Sequence, residues 1–221
     1  MISRLSLMMI LLGLLALAGC SSGGDDPPVT PDPPDTAAEF TARAWGYFES
    51  ENYDDALADF ESALVLDGNY GEARAGSGWT NLMLVSSGSE ISASLVSFDQ
   101  ALIAGENESY VLAGLAATQL ASGNADLAPA INNAGSVLSS DPAFVFEHQI
   151  SFDSKDLLLI RAFAYAVQGE FEDALAQADV IQDSGILQND AQTWVVGGTA
   201  YNSYAAAVLA NLHQLSEQYS G

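Results

Sequence analysis

The sequence predicts an all-α chain, a solenoid of about four helical hairpins closed by a C-terminal capping helix. Three observations predict it. From Thr36 onward prolines almost vanish and apolar residues recur three or four apart, which is the helical period. Trp45 and Trp79 stand 34 residues apart, with Ala44 and Gly78 just before them and Ala42 and Gly76 two residues earlier, and this is a helix-hairpin repeat length. Phe40, Ala44, Tyr47, Tyr53, Ala56, Phe60 and Ala63 then alternate large and small side chains along two helices separated by Ser50-Glu51-Asn52. Small residues let paired backbones approach while the rings fill the space beside them.

Taken in order, the chain divides into residues 1–19, 20–36 and 37–221. Met1 to Ser6 carries one base, Arg4, and Leu7 to Ala18 is an apolar run of 12 residues ending in the small pair Ala18-Gly19. That is the pattern of an export signal, and the run is short of the roughly 20 residues a bilayer crossing requires. Residues 21–36 hold five of the seven prolines and one clearly apolar side chain, Val29, so the segment cannot offset the entropy of its own folding. Extended as polyproline II at about 3.1 Å per residue it would reach roughly 50 Å. It is either a spacer or a tail of unselected length.

Leu17-Ala18-Gly19-Cys20 resembles the lipobox of bacterial lipoprotein precursors and sits where an export signal is cut. The resemblance implies that Cys20 becomes the lipidated first residue of the mature chain, tied to a membrane of the cell envelope. An ordinary cleaved signal with a chance cysteine, or an uncleaved anchor, are the other readings. In the lipoprotein family an Asp after the cysteine favours retention in the inner membrane, so Ser21 implies transfer outward to the outer membrane. With one cysteine in the sequence the mature domain holds no internal disulfide.

Residues 37–70 resemble a tetratricopeptide repeat. Tyr47, Tyr53, Ala56, Phe60 and Ala63 fall on that family's positions, Ala44 replaces its usual Gly and Phe40 its Trp, while Arg43 and Gly68 depart from its Leu and Pro. A fourth unit matches through Ala162, Tyr165, Gly169, Phe171 and Ala174. The middle is more degenerate. In unit two, Phe98 and Ala101 match only with a turn near Ser86-Ser87-Gly88-Ser89 about four residues longer than usual. In unit three, Leu115, Ala116, Gly123, Ala130, Ala134 and Pro142 match after a turn longer by about two, with Pro129 suited to a first helical turn. Residues 143–154 interrupt the array with three phenylalanines and are expected to pack across the hairpins. Asp190 is expected to cap a long closing helix whose Trp194, Tyr201, Ala205, Val208, Leu212 and Leu215 form one stripe.

Charge excludes two function classes. The chain has 29 acids and 5 bases, a formal charge of −24, and losing residues 1–19 with Arg4 would leave four bases and −25. Arg4, Arg43, Arg74, Lys155 and Arg161 are too few and too scattered to bind nucleic acid or to dock electrostatically on anionic lipid. The acidity fits either a basic partner or a saline habitat. Hydrolase, P-loop and dinucleotide motifs are absent, no cofactor is implied, and Gly76-Ser77-Gly78 is explained by packing. His148, beside Glu147 and near Asp153, reads as a hydrogen-bonded structural histidine ahead of a metal ligand.

The remaining candidate surface is the concave face implied by the repeat resemblance. There Trp45, Trp79 and Phe163 share one inward position, with Glu49 and Glu72 nearby. The aromatics are either a peptide-binding row or core covered by the insert or the capping helix. The expected function is a non-catalytic, lipid-anchored scaffold holding another envelope protein or peptide, a basic one where the acidity reflects the partner and not the habitat. The alternative is a glycan- or solute-capturing lipoprotein of an outer-membrane uptake system, stacking sugars on Trp45 and Trp79.

Overall fold

A computed structural model of the chain describes residues 36–106, 109–149 and 151–219. The expected export signal, Cys20 and all of the expected tether except Thr36 lie outside the described residues. Among the described residues there are nine α-helices: α1 (Ala37–Glu49), α2 (Tyr53–Leu66), α3 (Gly71–Met83), α4 (Gly88–Ile103), α5 (Ser109–Ala121), α6 (Ala128–Ser140), α7 (Ser154–Gln168), α8 (Phe171–Ile181) and α9 (Tyr204–Tyr219). None of the described helices is long and apolar enough to cross a membrane.

Three of the described helices start where side chains satisfy their first N–H groups. Thr36 with Glu39, Ser87 with Glu90, and Asp153 with Asp156 form capping boxes at α1, α4 and α7. Thr36 therefore belongs to the folded body as the cap of α1. Pro129 sits in the first turn of α6, where its missing N–H costs nothing.

Consecutive helices pair as hairpins, α1 with α2, α3 with α4, α5 with α6 and α7 with α8. Each second helix packs on the first helix of the next hairpin, and α1, α3, α5 and α7 also touch in series, forming one wall. The extra length expected in unit two enters mostly as helix. The loop before α4 runs only over 84–87, and α4 extends to 16 residues. The loop between α5 and α6, residues 122–127, is the longer interruption.

Ring-against-glycine contacts lock the hairpins. The Phe60 ring lies where a Cβ on Gly76 would be, 2.2 Å from two ring carbons, and the Phe98 ring is held between Gly78 and Gly114. A Cβ on Gly114 would fall 2.2 Å from Phe98 Cζ. Gly76-Ser77-Gly78 is thus a packing surface inside α3, as its sequence suggests. Polar groups buried at the same level are paired: Ser94 Oγ donates to the Gly78 carbonyl at 2.9 Å, and Thr118 Oγ1 donates to that of Gly114 at 2.8 Å.

The C-terminal expectation is half right. α9 packs on α8 and α7, taking the place the first helix of a next hairpin would take, and it buries Val208, Leu212 and Leu215 as the expected stripe requires. Asp190, however, caps a short 3-10 turn, accepting from Gln192 N at 3.0 Å, and Trp194 and Tyr201 precede α9. Val195–Val196 and Thr199–Ala200 form a two-stranded hairpin around Gly197-Gly198, whose φ values are 57° and 81°. A two-residue hairpin turn with both φ positive selects glycine, and the flanking β-branched residues favour strand over helix.

Two predictions test this packing. Gly114→Ala should lose about 1–3 kcal/mol through overpacking against Phe98, whereas Gly46→Ala, with nothing near its Cβ, should gain about 0.5–1 kcal/mol, both read by urea unfolding. Hydrogen bonds from Ser87 hold the Glu90 carboxyl down at about 2, below its ordinary 4.5. Its folded value lies below its unfolded one, so its support of α4 is complete above 4.5 and is lost as the pH falls toward 2. Thermal midpoints of Glu90→Gln should therefore fall less steeply than those of the unsubstituted chain across that window. Identical slopes would contradict the assignment.

Candidate functional site

The wall of first helices carries Trp45 on α1 and Trp79 on α3, and a strap formed by residues 141–149 and 151–153, between α6 and α7, covers both. Backbone bonds fold the strap on itself: Phe146 N donates to Phe152 O at 2.9 Å, and Ser154 N to Phe144 O at 2.8 Å. A single bridge pairs Val145 with Asp153. Phe146, 1% exposed, stacks on Trp79 with ring centroids 4.3 Å apart and meets Trp45 edge-on at 6.0 Å. His148 lies flat on Trp45 at 3.8 Å, its plane 4° from the indole. The insert packs across the hairpins as the sequence suggests.

That packing decides between the two readings of the aromatic row. Trp79 is 0% exposed and Trp45 4% exposed, so both belong to the core and neither offers an open ring face to a peptide or a sugar. Their polar edges are also engaged, since Trp79 Nε1 donates to the Tyr110 carbonyl and Trp45 Nε1 to Glu72 Oε1, each at 3.1 Å. Phe163, on α7, is half-buried in a separate cluster with α8 and α9 and does not continue the row. The insertion of Phe146 was not legible, because nothing in the sequence says which of the three phenylalanines turns inward.

What stays open is an acidic mouth beside the strap. One cleft of about 210 Å³ is lined by Trp45, Glu72, Glu106, Tyr110, Glu147 and His148. A second, of about 360 Å³, shares Glu147 and His148 and adds Glu49, Glu51 and Tyr53. Glu72 is held in place by Trp45 and by the Tyr70 hydroxyl, which donates to it at 3.3 Å. Burial, reinforced by Glu72, pushes the Tyr70 hydroxyl above its ordinary value and keeps it a donor. Glu49 Oε1 lies 2.8 Å from His148 Nδ1, and Glu147 lies 3.7 Å from Nε2. None of the four bases among the described residues lines either cleft.

The expected site residues thus separate by role. Glu49 and Glu72 line the mouth, Trp45 forms its floor, and Trp79 and Phe163 lie away from it. His148 is a hydrogen-bonded, stacked histidine, as the sequence suggests. Among the described residues no group of three His, Cys, Asp or Glu side chains is placed to hold a metal ion. The mouth offers carboxylates, which suit recognition of cationic groups.

Removing Phe146 should uncover the tryptophans. Phe146→Ala is expected to cost about 3–5 kcal/mol in denaturant unfolding and to shift tryptophan emission to the red. His148→Ala, which strips only the outer face of Trp45, should cost less and shift emission less. An unchanged spectrum in Phe146→Ala would contradict the covered arrangement.

No protein-family model matches the chain, and no curated protein matches it at a significant level. Among solved structures, one titled "MamA AMB-1 P212121" superposes with a TM-score of 0.54 at 12% identity, over 83% of this chain and 85% of that one. At that identity the likeness is one of fold, and with the paired helices described above it shows an all-α, tetratricopeptide-like stack of helical hairpins.

Proposed function

We propose that the chain is a non-catalytic scaffold, anchored through lipid on Cys20 to the outer membrane, that holds another envelope protein or peptide at the acidic mouth. The observation that carries the reading is the mouth itself. It gathers Glu49, Glu51, Glu72, Glu106 and Glu147 on a rigid stack of hairpins, against a floor formed by Trp45 and His148. A one-signed cleft steers an oppositely charged partner and raises its association rate, an effect that salt screens. The occupant that fits is a basic segment of an exported protein. The strap removes the aromatic row as a docking surface, so the mouth replaces it in this reading. Sugar stacking on Trp45 and Trp79 loses its surface for the same reason.

The test immobilises the mature protein and challenges it with a detergent extract of envelopes from its own organism. Retention of an envelope protein should fall about tenfold between low and high salt, and by a similar factor in the double variant Glu51→Lys, Glu147→Lys. Retention of none, or equal retention by the double variant, would refute binding at the mouth. Cys20→Ser should separately abolish lipid labelling and release the protein from membranes. Labelling that persists would refute the anchor alone.

A further inference from the structure

The cleft between α6 and α7 holds an arginine that the fold leaves without a counter-charge. Of the four bases among the described residues, Arg43 pairs with Asp59, Lys155 with Asp153, and Arg74 donates to the Gly68 carbonyl and to Gln100. Arg161 has no ion pair and no hydrogen bond among the described residues, and its Nε is buried without a partner. The repeat explains how this arises. Arg43 and Arg161 precede equivalent alanines, Ala44 and Ala162, and the same offset carries Ala56 onto Ala174 and Asp59 onto Gln177. The acid that neutralises the arginine in the first hairpin is therefore an amide in the fourth.

Arg161 instead lies against α6, with Cζ 3.6 Å from where a Cβ on Gly135 would stand. It opens onto a cleft of about 510 Å³ that no acid lines, in a chain with 29 of them. The other polar groups there divide into donors and acceptors. Asn132 and Tyr165 bring an amide and a phenol hydroxyl. Ser136 and Ser139 already donate their protons to the carbonyls of Asn132 and Gly135, at 2.9 and 2.7 Å, so their oxygens are left to accept.

We propose that this cleft binds a polyhydroxylated carboxylate of monosaccharide size, a sugar acid. The guanidinium fork matches a planar carboxylate, and the serine oxygens can accept from the ligand's hydroxyls. A partly desolvated guanidinium without a counter-charge is costly, and a bound carboxylate relieves that cost. The site shares no residue with the acidic mouth and does not depend on the scaffold reading.

Ligand-observed saturation-transfer NMR on the mature protein tests it, with sodium glucuronate as the probe, and glucose and inorganic phosphate as comparisons. Glucuronate should bind saturably and at least about tenfold more tightly than either comparison, because only it presents both carboxylate and hydroxyls. Arg161→Gln should weaken glucuronate about tenfold, with the fold checked by circular dichroism, and Arg161→Lys, which keeps the charge and stem but not the fork, should fall between. If the Gln variant does not fold, the Lys variant carries the comparison. Absence of saturable glucuronate binding, equal binding of glucose or phosphate, or unchanged affinity in the folded variants would overturn the proposal.

Discussion

Phe146 reaches from the strap into the space between Trp45, Trp79 and Tyr110, with its ring stacked on Trp79 and parallel to Tyr110 at 6.0 Å. Those three rings come from α1, α3 and α5, the first helices of three successive hairpins. One side chain inserted late in the chain therefore ties together a wall assembled from its first half. In a solenoid each unit ordinarily touches only its neighbours, so a contact of this range couples hairpins that would otherwise open independently. The strap's cross-bonds supply the partners that its backbone would lose on leaving water. With the tryptophans spent on packing, the proposed recognition rests on charge and not on aromatic contact.

Charge is distributed in keeping with that shift. The few bases mostly serve the fold: Arg43 spans α1 and α2 through Asp59, and Lys155 lies 4.8 Å over the ring of Tyr219, joining the start of α7 to the end of α9. Arg43 sits where the repeat family has Leu. As the first hairpin has no predecessor to cover that position, a paired arginine suits it better than an apolar side chain. With Arg43, Arg74 and Lys155 committed to the fold and Arg161 lying elsewhere, no Lys or Arg among the described residues lines the acidic clefts.

The hairpins were legible because their determinants are local. Apolar spacing, the interval from Trp45 to Trp79, and the alternation of large and small residues from Phe40 to Ala63 all act within or between adjacent helices. The burial of Trp45 and Trp79 was left open because it depends on residues far along the chain, Phe146 and His148, whose inward turn has no periodic signature. The Val195 to Ala200 hairpin was missed for a different reason. Its flanking aromatics happen to fit a helical stripe, yet Gly197-Gly198 between β-branched residues is a two-residue turn signal that outranks the stripe. The mouth was half visible, through Glu49 and Glu72, whereas Glu51, Glu106 and Glu147 join it only once the strap is in place.

Hydrogen exchange along residues 143–154 measures directly whether the strap is part of the core. The amides of Phe146 and Ser154, which donate to Phe152 and Phe144, should exchange as slowly as those of α3 and α5, through opening of the whole body. Exchange on the timescale of an unprotected loop, with α3 and α5 still protected, would show that the strap lifts freely and that the aromatic wall is open to partners after all.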